Sequence, residues 1–306
     1  MSDFAPFPFD LVALLDQAVA VIRPVGDYLV AQRVLESDIE VKGLNSLVSH
    51  VDKTAEVRLV EGLSALLPEA GFLAEEGTAG NKAGARFRWV VDPLDGTTNL
   101  IHGLPVFCVS VALVDGDSPV LAVVHDPNRN ECFTAVLGGG TRLNGKPVKC
   151  AQRTDLADAL VATGFPHWDF TRMPNYLVAL TAFAKGTRGL RRMGSAAIDL
   201  AYVACGRFDA FFEYSLQPWD IAAGLLLVTE AGGSTSDFNG VCAPTALLSG
   251  REVLAAAPGL MKAVVDVTAE AFESELDRLA ETICAMAPMS LQASKFILDH
   301  PQADAA

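Results

Sequence analysis

The run Trp89–Asn99, WVVDPLDGTTN, constrains the fold more than any other stretch of the chain. Its apolar start reads as a strand entering a core, and two carboxylates then arrive three residues apart, with Pro93 between them and Gly96-Thr97-Thr98 behind. Pro93 fixes φ and Gly96 can take a positive one, so the chain is expected to turn just after the strand and aim Asp92 and Asp95 at one point. Two anions held close are unfavourable without a cation. Hard divalent cations take oxygen ligands, and such a turn also exposes a backbone carbonyl, that of Leu94, as a neutral ligand. Read alone, the stretch fits a solvated acidic turn with Asp92 capping a short helix slightly better than a metal site.

Three other segments bear on the choice. In AEEG, Glu75 and Glu76 stand at a second strand end, where neighbours point to opposite sides, so one of them, taken as Glu75, can face the carboxylate pair. In QPWDIAAG, Asp220 falls in the first turn of a helix, where a carboxylate is favoured with or without metal. In RRMGSAAIDL, Gly194-Ser195-Ala196 opens a helix whose N–H groups could meet an anion or a hydroxyl, or Ser195 could simply cap it.

Strands and helices alternate along the chain. Apolar residues at helical spacing predict helices over 10–32, with a bend or break at Pro24, and over 52–67. Strands are expected at 107–115, 120–126 and 131–136, and helices near 174–184, 195–205 and from Pro218, which sits where a first turn tolerates proline. We divide the 306 residues into 1–155, carrying the first acidic motifs, 156–260, carrying the Asp220 motif, and a helical extension over 261–306, all one compact unit. At 51% hydrophobic and 20% charged the chain reads as globular, with no apolar run near the ~20 residues that span a bilayer, so no membrane association is expected. The N-terminus has no secretory pattern and the location expected is cytoplasmic. Six scattered cysteines read as buried thiols. The formal charge of −14 disfavours a nucleic-acid surface, and it would require cations wherever a phosphorylated substrate binds.

Together AEEG, WVVDPLDGTTNLIHGLP and QPWDIAAGLLLVTEAGG, in this order and spacing, resemble the signatures of the inositol monophosphatase family of magnesium-dependent, lithium-sensitive phosphatases, over roughly residues 10 to 260. The resemblance implies a five-layered α-β-α-β-α sandwich, commonly a homodimer, using two or three Mg²⁺ ions. It implies Glu75, Asp92, Asp95, Asp220 and the Leu94 carbonyl as metal ligands, with Thr97 and Glu75 orienting an attacking water and Asp52 polarising Thr97. Gly96, Thr97 and Thr98 would cradle phosphate, and Gly194, Ser195, Ala196, Glu213 and Asp220 would meet substrate hydroxyls. Asp52 could also cap the second helix, and Glu213 could be a solvent-facing strand residue. The activity implied is hydrolysis of an inositol monophosphate by metal-activated water. Another small phosphate ester, or a silent phosphate-binding role, are the alternatives. Departures from the family pattern are Ala74 for a glycine, Ser46-Leu47-Val48-Ser49 for its usual sequence, and a segment about one residue short near Lys42. Every principal ligand position is retained.

Overall fold

The computed structural model describes residues 6–272, apart from 34–38, 44, 45, 79–81, 83, 167, 168, 244–246 and 249–251. Helix α1 (Leu11–Val30) buries Leu14, Ala18, Ile22, Val25 and Leu29, one stripe at helical spacing. Strands β1 (Ile39–Gly43) and β2 (Ser46–Ser49) pair antiparallel and lead straight into α2 (His50–Leu66). Lys42 therefore lies on a strand of a hairpin, and residues 44 and 45 beside it fall outside the described set.

Seven strands form one sheet in chain order: β3 (Gly71–Ala74), β4 (Phe87–Asp95), β5 (Cys108–Asp115), β6 (Ser118–Asp126), β7 (Glu131–Val136), β8 (Gly140–Leu143) and β9 (Lys146–Pro147). The pair β3–β4 is parallel and the later pairs are antiparallel. The five-residue helix α3 (Thr97–Ile101) joins β4 to β5. The second half supplies β10 (Leu160–Thr163), α4 (Met173–Gly186), β11 (Gly189–Arg191), α5 (Ala196–Ala204), β12 (Ala210–Tyr214), α6 (Pro218–Glu230), β13 (Ser234–Ser236) and β14 (Glu252–Ala256). These strands make a mixed sheet in the order β11-β10-β12-β14-β13. Residues 261–272 are helical, and the rest of the expected extension, 273–306, lies outside the described residues.

Alternate residues of β4 explain the layering. Trp89 and Val91 face α1 and α2, packing with Ile22, Leu59 and Leu63. Val90 faces the opposite way, into a cluster with Leu200 of α5, Ile221 of α6 and Phe211 of β12. A strand buried on both faces reads as an unbroken apolar run, as this one does. Beyond the second sheet Phe212 packs with Tyr176 and Phe183 of α4 and with Val264. The result is the α-β-α-β-α sandwich, with α5 and α6 as its middle layer.

Two expectations need correction. Pro24 does not break α1, which runs through it. The helix loses one hydrogen bond there, and the buried residues on either side, Ile22, Val25 and Leu29, hold it against the core. Nor does β4 stop at Asp92: Asp92 pairs with Ser110 and Asp95 with Cys108, so two residues, Pro93 and Leu94, oppose the single Val109. This is a β-bulge, a place where a strand tolerates a proline that cannot donate. The turn comes at Gly96, with φ 104°.

The middle layer is tight. A Cβ on Gly224 of α6 would lie 2.4 Å from Leu200 Cδ1 and 2.6 Å from Leu200 Cβ. Gly224→Val is expected to force α5 and α6 apart and lower stability by about 1–3 kcal/mol, seen as a lower urea midpoint at unchanged slope.

Candidate active site

The site forms where β4 ends against the starts of three helices. At the first of these, α2, Ser49 is the N-cap and Asp52 completes a capping box: Asp52 Oδ2 accepts from Ser49 N at 2.9 Å and from Ser49 Oγ at 2.8 Å. Its other oxygen, Oδ1, accepts from Thr97 Oγ1 at 2.9 Å. The two roles weighed for Asp52 in the sequence therefore coexist in one buried carboxylate. Thr97 Oγ1 also lies 3.0 Å from the Leu94 carbonyl oxygen. One hydroxyl proton faces two acceptors, and the ionised one is the stronger, which leaves the Leu94 carbonyl capacity for another partner.

Asp92 is 2% exposed and its Oδ1 accepts from Leu94 N at 2.9 Å, across the bulge. It does not cap the short helix; α3 has Gly96 at its N-cap and no side-chain bond there. A Cβ on Gly96 would come 2.9 Å from the Val106 carbonyl oxygen at a positive φ, so this position requires glycine. Thr98 is exposed in the first turn of α3.

Asp95 reaches the second helix start. Its Oδ2 accepts from Ser195 Oγ and from Ala197 N, both at 2.7 Å. The amides opening α5 were expected to be available to an anion or a hydroxyl, and in the structure the anion is Asp95 itself, satisfying a helix N-terminus from across the chain. Ser195 Oγ also accepts from Ile198 N at 3.3 Å, so it caps α5 as well. The approach to α5 is fixed by Asn99, whose Nδ2 donates to Val106 O at 2.7 Å and Met193 O at 2.9 Å. Asn99 was missed in the sequence because Met193 is 94 positions away.

At the third helix start, Asp220 Oδ2 accepts from Gln217 N at 2.7 Å in the first turn of α6. Glu75 follows β3 directly and its amide donates to Val91 O at 3.2 Å. Glu75, Asp92, Asp95 and Asp220 feel one another. Burial, then Glu75, Asp95 and Asp220 in turn, push the Asp92 carboxyl well above its ordinary range. Burial, then Asp95, push Asp220 up likewise. Among the described residues no three His, Cys, Asp or Glu donors close to a metal-holding geometry; each Asp of the cluster is turned to protein donors instead. The donor set itself, carboxylates and one carbonyl in mutual repulsion, has the chemistry that a hard divalent cation satisfies.

Glu213 on β12 is buried, which removes the reading of a solvent-facing strand residue. Burial, then Asp220 and Asp95, push its carboxyl well up, while Arg192 pulls the other way. A Cβ at residue 164 would lie 2.1 Å from Glu213 Oε1, so Gly164 makes the room that this carboxyl occupies. Asp199, on α5, is also buried, and its Oδ1 has no hydrogen-bond partner among the described residues. Burial, then Glu213 and Asp95, push it well up. Neither Gly164 nor Asp199 carried a sequence signal: one follows an apolar run, the other sits within an apolar helix.

The sequence model of the Inositol monophosphatase family matches residues 10–274. The chain belongs to that family. Its relatives include the Inositol-1-monophosphatase of Rhizobium meliloti, 44% identical over 230 residues that cover 74% of this chain and 86% of that protein. The Nus factor SuhB of Xylella fastidiosa is 47% identical over 196 residues, 64% of this chain and 70% of that protein. The crystal structure of the extragenic suppressor protein suhB from Bartonella henselae superposes with a TM-score of 0.78 at 36% identity, covering 84% of this chain and 98% of that one. The five-layered sandwich is thus the inositol monophosphatase fold. Among the described residues no helix is long and apolar enough to cross a membrane.

Thr97→Val removes the donor facing buried Asp52 Oδ1 and is expected to cost about 1–3 kcal/mol, read by thermal unfolding, with Thr97→Ser restoring it. Asp95 is pushed from 3.8 up to about 6, mainly by burial and against the pull of Ser195 and the α5 amides. A raised carboxyl pKa means the folded state holds its proton more tightly than the unfolded chain. Metal-free protein should therefore lose stability as pH rises from about 4 to about 6, and Asp95→Asn should flatten that slope in a series of melting temperatures.

Proposed function

We propose that this phosphatase-family chain is a Mg²⁺-dependent phosphomonoesterase that hydrolyses an inositol monophosphate of the myo-inositol 1-phosphate type. The observation that carries the reading is the contact of Thr97 Oγ1 with Asp52 Oδ1 and the Leu94 carbonyl, set beside four carboxylates that repel one another. Glu75, Asp92, Asp95, Asp220 and the Leu94 carbonyl would hold the metal. Bound Mg²⁺ lowers the pKa of a water and offsets the charge of the phosphate.

The protein's own groups have separate tasks. Because Thr97 gives its proton to Asp52, its oxygen is left as an acceptor toward a water, and Glu75 offers a second acceptor that fixes the direction of that water. The first amides of α3, beginning at Thr97, have no intrahelical acceptor and, with Gly96 and Thr98, suit a phosphate. Glu213, the Gly194-Ser195-Ala196 segment and the Asp220 carboxylate would take substrate hydroxyls. Burial, which pushes the Glu213 carboxyl up, places a hydrogen-bonding group on β12 where such a hydroxyl would lie.

The substrate assignment is supported by the name of the Rhizobium relative, Inositol-1-monophosphatase. The same residues would suit other small esters, such as fructose 1,6-bisphosphate, histidinol phosphate or a nucleotide 3′-phosphate. A second reading, a role without hydrolysis, is favoured by the name of the Xylella relative, a Nus factor. That name weighs against the expectation, drawn from a net charge of −14, that nucleic acid is not a partner.

A panel of phosphate esters assayed with and without Mg²⁺, and with Li⁺ added, separates these readings. The expected result is Mg²⁺-dependent phosphate release fastest from myo-inositol 1-phosphate, reduced at least about 100-fold by Asp95→Asn, since even outer partners of a metal carry about 10–100-fold. Undiminished turnover in Asp95→Asn overturns the ligand assignment, and Mg²⁺ binding without hydrolysis of any ester favours the second reading.

A further inference from the structure

Helix α2 sends two carboxylates to the same side. Asp52 and Glu56 stand four residues apart, the spacing that stacks side chains on one helix face, and both are buried. Asp52 is accounted for by Ser49 and Thr97. Glu56 has no part in the machinery described above, yet a fully buried carboxylate must find partners or be costly.

Among the described residues its partners come from the segment that follows Glu75. Glu56 Oε2 accepts from Glu76 N at 2.6 Å, and Oε1 accepts from Thr78 N and from Thr78 Oγ1, both at 2.7 Å. Gly77 between them has φ 68°, the left-handed conformation that lets the two flanking amides converge on one anion. Hydrogen bonds to an ionised acceptor are among the stronger ones a protein makes.

We infer that Glu56 is a positioning residue for Glu75 and through it sets the affinity of the carboxylate cluster for a divalent cation; this rests on the reading of Glu75 as a metal ligand. Glu75 is held on its N-terminal side, where its amide donates to Val91 O of β4. On its C-terminal side, the Glu75 carbonyl and the Glu76 N–H belong to one planar peptide group. Fixing the Glu76 amide on Glu56 therefore fixes ψ of Glu75, and with both sides held the direction of its side chain is set. One face of α2 thus registers Thr97 through Asp52 and Glu75 through Glu56. These are the two groups that the proposed mechanism requires to act on the same water. A glutamine at 56 would keep the shape of the side chain but present an amide N–H₂ to one of these donors and withdraw the charge from both.

The test uses the full chain, stripped of metal, as wild type, Glu56→Gln and Thr78→Val. Calorimetry gives the Mg²⁺ affinity, and hydrogen exchange follows the amides of Glu76 and Thr78, with β5 and β6 as internal controls. Glu56→Gln is expected to weaken Mg²⁺ binding about 10–100-fold and to speed exchange at those two amides, with protection in β5 and β6 unchanged. Thr78→Val, which removes the hydroxyl donor and leaves the two amides, is expected to give a smaller loss in the same direction. Mg²⁺ affinity equal to wild type in folded Glu56→Gln overturns the inference even if exchange quickens, because the role would then be structural only. Should Glu56→Gln fail to fold, unchanged affinity in Thr78→Val overturns it. Phosphate release is measured on the wild type in parallel. Its absence counts against the proposed activity, while the calorimetric comparison bears on Glu56.

Discussion

The contact of Asp95 with the start of α5 is the constraint on which the rest of the site depends. A carboxylate at the end of a buried strand is costly, and the structure meets that cost with Ser195 Oγ and Ala197 N, groups that a helix N-terminus would otherwise leave unsatisfied. The bond joins β4 of the seven-stranded sheet to a helix that packs under the other sheet, so the two halves of the chain are held in register where chemistry is proposed. Asn99, tied to Met193, secures the same junction one turn further along. The acidic motif is therefore also a fastening between layers.

Helix starts recur around the cluster for a common physical reason. Asp52 sits in the first turn of α2, Asp220 in the first turn of α6, and Asp95 at the mouth of α5. Oriented backbone N–H groups stabilise an anion without supplying a mobile counter-charge. They lower the cost of gathering acids but do not cancel their mutual repulsion, and buried Asp92 stays under the push of Glu75, Asp95 and Asp220. An arrangement of this kind is short of positive charge, which is the need that the proposed cation would meet. The family relatives carry names as different as Inositol-1-monophosphatase and Nus factor, so this scaffold supports more than one role and the assignment has to rest on the site.

Much of the architecture was legible because its signals are local. The apolar stripes of α1 and α2, Ser195 before α5, Pro218 at the start of α6, the strand end at Ala74 and the apolar run Trp89–Val91 within β4 depend on neighbours a few residues away. Two local rules were overridden. Pro24 is carried within α1 because burial of the residues around it outweighs one lost hydrogen bond. The Asp92–Asp95 stretch continues its strand as a bulge because β5 pairs with it on both sides of Pro93.

The sequence by itself determined which residues are acidic, which stretches are apolar enough to be buried, and that Asp92 and Asp95 follow an apolar run and precede a glycine able to turn the chain. Only the tertiary structure decided that Asp95 would close the start of α5, that Asp52 would serve both Ser49 and Thr97, that Glu213 would lie buried against Gly164, and that Glu56 would hold the chain beyond Glu75. The reason is physical. A hydrogen bond between residues 20 to 102 positions apart leaves no periodicity in the sequence, and whether a carboxylate meets a donor, another acid or water depends on where the packed layers bring it.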